Sequence, residues 1–213
     1  GVAALVAGIA SAPDRLGPSG RRRPVVVLCG PGQNGGDGLG AARFLRSYGL
    51  DVEAVRLGES PYRGDAAIEF AALSREIDVP ALLSMPDIAT WARTRLPHAG
   101  VVVDALFGVG LDRDLDELAG AVVVAINACP APTVAVDVPS GLDADTGEPR
   151  SVAIEAYVTA AAGFVKRGCR TPRGAPFCCR LVEIDIGHPL AIRVIHGWLR
   201  LRTRRCGKDG PHG

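Results

Sequence analysis

No run in this 213-residue chain reaches the roughly 18 to 20 consecutive apolar residues that a membrane helix needs, so a helical span is excluded. The six cysteines, Cys29, Cys129, Cys169, Cys178, Cys179 and Cys206, form no C-x-x-C pair. With Cys178 and Cys179 adjacent, they suit neither a zinc site nor an ordinary disulfide frame, and a reducing cytoplasm fits them best. His98, His188, His196 and His212 show no metal-ligand spacing. Net charge is nearly absent, +1 overall, which argues against general nucleic-acid binding. Two local basic runs, Arg21-Arg22-Arg23 and WLRLRTRRCGK, read as solvated surface and tail. There is no internal repeat and no low-complexity segment.

What is present is 47% hydrophobic residues, enough for one substantial core in the size range of a single α/β domain. The opening GVAALVAGIASA has the apolar stretch and A-x-A ending of a signal peptide. It lacks the positive n-region, however, and reads instead as a helix shortened at its start. SAPDRLGPSGRRR is rich in turn formers and predicts a surface loop. The chain then alternates. PVVVLC, DVEAVRLG, AGVVVDALFG and TVAVDVPSG predict strands, and GLGAARFLRSYG, DAAIEFAALSREI and LDELAGAVVVAINAC predict helices between them. Beyond residue 150 the pattern weakens, with AIEAYVTAAAG as a further strand and RLVEIDIG as a short last one. Apolar strands alternating with helices predict a three-layer αβα Rossmann-like sandwich around a mostly parallel sheet. The expected domain spans residues 1–187, followed by a basic tail over 188–213.

In such a sheet the ligand sits outside the carboxyl ends of the strands. Three segments converge there: the glycine loop after PVVVLC, DALFGVG and DVPSG, which together gather Asn34, Asp37, Asp104, Asp137 and Ser140. Gly30-Pro31-Gly32-Gln33-Asn34-Gly35 satisfies G-x-G-x-x-G, but the ribose-holding acid expected about 20 residues on has only Glu59 as a late counterpart. No Gly-Lys-Ser/Thr closes a Walker loop. In Gln33-Asn34-Gly35-Gly36-Asp37-Gly38, consecutive glycines can expose amide N–H groups as an anion nest, and Asn34 offers a neutral oxygen to a hard cation or a hydroxyl. The plainer alternative is a tight strand-to-helix turn with Asp37 as an N-terminal helix charge. Asp104 ends one strand ahead of a second glycine turn at Gly108, and Asp137 ends another ahead of a polar loop. Either carboxylate taken singly has capping as an equal alternative, whereas the cluster points to function. Cys29 reads as a small buried strand residue, with a reactive thiol as the alternative.

CGPGQNGGDGLGAARFLRSYG, VVVDALFGVGLDRDL and INACPAPTVAVDVPSGLDADTGEP resemble, in order, the motifs of the YjeF N-terminal domain family, the NAD(P)H-hydrate epimerases. The likeness runs from about residue 24 to 187. It implies an isomerase that interconverts the R and S forms of hydrated NADH or NADPH (NADHX, NADPHX) by loss and re-addition of the ring hydroxyl. Asn34, Asp104 and Ser140 would bind one potassium ion per subunit. Gln33, Asn34, Gly35, Gly36 and Asp37 would hold the substrate, together with Gly108, Val109, Gly110, Leu111, Asp112, Arg113 and Asp114. Asp137 would lie at the reacting ring as the catalytic acid and base. Lys166, at the family's lysine turn, would pair with substrate phosphate or stand as a solvated turn residue. A homodimer and an NAD(P)HX dehydratase as functional partner are also implied. Gln33 stands where the family usually has Asn, and Tyr157, Ala161 and Ala162 where it usually has Asp, Thr and Phe. The same fold also occurs without catalysis as a scaffold for dimerisation and RNA contact in mRNA-decapping enhancers, and that binding module is the alternative. An ordinary NAD-dependent oxidoreductase would need a hydride-acceptor site and ribose acid that the sequence does not offer.

Overall fold

The computed structural model describes residues 1–17 and 20–187; the basic tail expected over 188–213 lies outside them. Seven parallel strands form one sheet: β1 Val25–Cys29, β2 Val52–Leu57, β3 Ala81–Leu82, β4 Val101–Ala105, β5 Thr133–Val136, β6 Val158–Ala162 and β7 Arg180–Ile184. Their spatial order is β3-β2-β1-β4-β5-β6-β7. The chain therefore winds outward from β1 in one direction, returns, and continues from β4 in the other. The reversal leaves a crevice between the carboxyl ends of β1 and β4, where ligands of doubly wound sheets bind.

β1 and β4 are buried at every position, which explains their unbroken apolar runs. Successive side chains still go to opposite faces. Val25, Val27 and Cys29 join one core with helices α1 Val2–Ala10, α2 Gln33–Ser47 and α3 Asp65–Leu73. Val26 and Leu28 join a second core with α4 Met85–Thr94 and α5 Glu117–Asn127. The three layers follow from that alternation. Asp116 caps α5 by accepting from the Ala119 N–H at 2.8 Å, and Ser84 caps α4 by accepting from Asp87 at 3.3 Å. Such a cap is worth about 1 kcal/mol. A short sixth helix, α6 Ala175–Cys178, leads into β7. No helix among the described residues is long and apolar enough to cross a membrane.

Two features depart from the sequence expectation. β3 and α4 arise from a stretch that carried no strong periodic signal. In addition, α2 begins at Gln33 rather than Gly38, so the glycine run is a helix and only residues 30–32 form the turn. Close packing is the reason: a Cβ on Gly35 would sit 1.8 Å from the Gly30 carbonyl oxygen, and one on Gly38 would sit 2.5 Å from the Ala105 Cβ. Only glycine lets α2 approach the sheet this closely. Asp37 consequently sits in the second turn of the helix and is not its cap.

Candidate active site

Asp137 directly follows β5 and has φ +70°, a left-handed conformation that non-glycine residues rarely adopt and that costs about 1–3 kcal/mol. A Val138 N–H to Val136 carbonyl bond of 2.9 Å closes a tight turn around it, and its own N–H donates to the Ala160 carbonyl at 2.8 Å. The carboxylate is equally constrained. Oδ1 accepts from the Ala162 N–H at 3.1 Å and forms an ion pair with Lys166 Nζ, which also donates to the Ala162 carbonyl at 2.9 Å. Lys166 is thus mostly buried, and it meets a carboxylate where the sequence left phosphate or solvent open. Both anchoring atoms at Ala162 belong to the backbone. The alanine-rich β6 therefore supplies them whatever side chain it carries.

Asp137 lines a cavity of about 500 Å³ at the crevice. Gln33, Asn34 and Asp37 form one wall; Gly108, Val109, Gly110, Leu111, Asp112, Arg113 and Asp114 form another. Gly35 and Gly36 lie off this wall: Gly35 packs on the Gly30 backbone, and a Cβ on Gly36 would meet the Ala66 Cβ of α3 at 2.6 Å. Asp37 is exposed at the cavity, and its carboxyl is held above the usual range by desolvation first and by the Asp137 charge second. The two carboxyl groups therefore sense each other. Gly32 caps α2 without a side-chain bond, and Gly32, Gln33 and Asn34 at this helix start line the cavity.

Behind the Phe107 wall lies a second polar group of residues. Asp104 is fully buried; its Oδ1 accepts from Ser140 Oγ at 2.6 Å and the Leu106 N–H at 3.2 Å, and its Oδ2 from the Ser140 N–H at 2.8 Å. Ser140 Oγ in turn accepts from the Phe107 N–H at 2.9 Å. Burial pushes the Asp104 carboxyl up to about 6, against the opposing pull of these donors. Among the described residues no cationic side chain pairs with it. Asn34, buried at the start of α2, has its Nδ2 without a partner, and its Oδ1 lies against Gly108. The Asp104 carboxylate, the Ser140 hydroxyl and the Asn34 amide oxygen are each the kind of donor that a hard cation takes. Among the described residues no cluster of three or more His, Cys, Asp or Glu could hold a metal ion. The Cys29 thiol is fully buried and pushed up by that burial, so it is a packing residue.

Sequence reasoning located the Asp137 loop but not its partner: a lysine four residues past a strand carries no mark of which carboxylate it will face. It also missed a second cavity of about 430 Å³ that adjoins the first over Pro31, Gly32 and Gln33 and is lined by Ser60, Pro61 and Arg63.

The family description "YjeF-related protein N-terminus" matches residues 2–168. The chain is similar to the bifunctional NAD(P)H-hydrate repair enzyme Nnr of Pyrobaculum aerophilum, 37% identical over 97% of this chain and 42% of that protein. It thus spans less than half the length of that relative. It is also similar to the NAD(P)H-hydrate epimerase of Limosilactobacillus fermentum, 35% identical over 76% of this chain and 74% of that protein. Among solved structures, the crystal structure of yeast ynu0 superposes with a TM-score of 0.67 at 25% identity, covering 85% of this chain and 73% of that one. With the family match running through the glycine turn, the Asp104 and Asp137 strands and the lysine turn, the chain belongs to the YjeF-related protein N-terminus family.

Proposed function

We propose that this chain is an NAD(P)H-hydrate epimerase that interconverts the R and S hydrates of NADH or NADPH. The observation that carries the reading is Asp137: a carboxylate in a strained backbone conformation, fixed on one oxygen by Ala162 and Lys166, facing a cavity that it shares with Asp37. In the hydrate, the epimeric carbon carries a hydroxyl beside the ring nitrogen. The nitrogen lone pair expels that hydroxyl if a proton is supplied to it; the C–O bond breaks, water forms, and the ring carbon becomes planar and cationic. Water returning from the opposite face remakes the bond and gives its proton back. No net oxidation occurs, and no second substrate is required.

Asp137 gives and retakes that proton. Asp37, whose carboxyl is kept above the usual range by desolvation and by the Asp137 charge, lines the same cavity. Asn34, Asp104 and Ser140 would hold a potassium ion, one per subunit, which supplies positive charge next to the buried Asp104. The opening turn of α2 would take the pyrophosphate and the Gly108–Asp114 segment the ring half of the substrate. None of the five described cysteines forms a disulfide among the described residues, which fits a reducing cytoplasm. A dehydratase that consumes one epimer would be the functional partner, and a homodimer the assembly.

Asp137→Ala tests the reading by epimerisation of purified R-hydrate followed by chromatography. The expected loss is about 10²- to 10⁴-fold, the usual contribution of one positioned acid–base group. Turnover at the parental rate would remove Asp137 from the mechanism.

A further inference from the structure

The two adjoining cavities differ in charge. The one containing Asp137 is also lined by Asp37, Asp112, Asp114 and Asp116, against a single arginine, Arg113. The other is lined by no acid and contains Arg63 and Ser60. Parallel register pairs Cys29 with Arg56, so the chain leaving β2 runs beside the turn leaving β1. A Cβ on Gly64 would lie 3.9 Å from Gln33 Nε2, which ties this loop to the shared wall. Arg63 is exposed and makes no ion pair among the described residues, whereas Arg43 and Arg46 of α2 are engaged by Glu69 and Glu76. Glu59, the acid at about the ribose-binding spacing, does not line the cavity.

At the carboxyl end of the second strand of a doubly wound sheet, an acid reads a ribose 2′-hydroxyl and an arginine accommodates a 2′-phosphate. Here the arginine lines the cavity and the acid does not. We propose that the second cavity is the adenosine-end subsite and that Arg63, assisted by the Ser60 hydroxyl, binds a ribose phosphate, so that the 2′-phosphorylated hydrate is preferred over the unphosphorylated one. The proposal rests on the epimerase reading for the identity of the full substrate. It also fixes the polarity of binding: the ring half lies at Asp137, the pyrophosphate crosses residues 31–33, and the phosphorylated ribose lies beyond them.

The test combines KM values for the R-hydrates of NADPH and NADH with calorimetric binding of 2′-phospho-ADP-ribose and ADP-ribose, using parent, Arg63→Ala and Arg63→Lys proteins. The parent should bind the phosphorylated ligand more tightly. Arg63→Ala should weaken it about 10- to 100-fold, the scale of a charge-assisted arginine–phosphate contact, and by at least tenfold more than it weakens the unphosphorylated ligand. Arg63→Lys should recover part of the loss, since a point charge remains without the fork. Equal losses for both ligands, or none for either, overturn the subsite. Turnover without discrimination defeats only this proposal, and discrimination without turnover defeats only the epimerase reading.

Discussion

Asp137 keeps a conformation that its own side chain disfavours because the surroundings leave it no other. Its backbone N–H is bonded across to β6, and one carboxylate oxygen is held by Ala162 and Lys166, which leaves the other oxygen for chemistry. In the proposed reaction Lys166 is therefore a positioning residue. Lys166→Ala should lower kcat by about tenfold or more while leaving KM within about twofold, the signature of support felt mainly in the transition state. Lys166→Arg should restore part of kcat. A fall in thermal stability with kcat unchanged would mean that the pair only holds the fold. The residue types at the site were legible: Asp104, Asp137, Asn34 and Ser140 all stand at strand or helix ends in the sequence. Pairing was not, because which carboxylate a lysine meets depends on the register of β5 against β6.

Among the elements, α2 shows where local preference and tertiary packing disagree. Three glycines in its first two turns lower its intrinsic helicity by about 1 kcal/mol each, and on propensity they predict a loop. Packing overrides this, since α2 must lie close against β1, β4 and α3. Gly38→Ala should destabilise the protein by about 1–3 kcal/mol through overpacking against Ala105, despite raising helix propensity, and chemical denaturation measures it. A neutral or stabilising result would show that the helix has room to shift. The central strands β1, β4 and β5 were legible because burial on both faces forces an unbroken apolar run. β3, with two residues at the sheet edge, and α4, whose buried side chains are Ile88 and Trp91, leave too little pattern to read.

In the molecule as a whole, the reversal of winding between β1 and β4 gathers residues over a hundred positions apart into one crevice. The site then separates by charge: an acid-rich cavity where the proposed ring chemistry would occur, an arginine on the far side, and a helix start between them. The buried Asp104 carboxylate behind the wall lacks a side-chain counter-charge among the described residues, and the proposed potassium ion would supply it. The most direct measurement is conversion of purified R-hydrate to S-hydrate by the purified chain, first with potassium and then with potassium replaced by a large organic cation. Turnover above the spontaneous rate, falling at least tenfold on replacement, is the predicted result. A folded protein that converts neither hydrate in either buffer would contradict the account, and would leave the domain as a binding module.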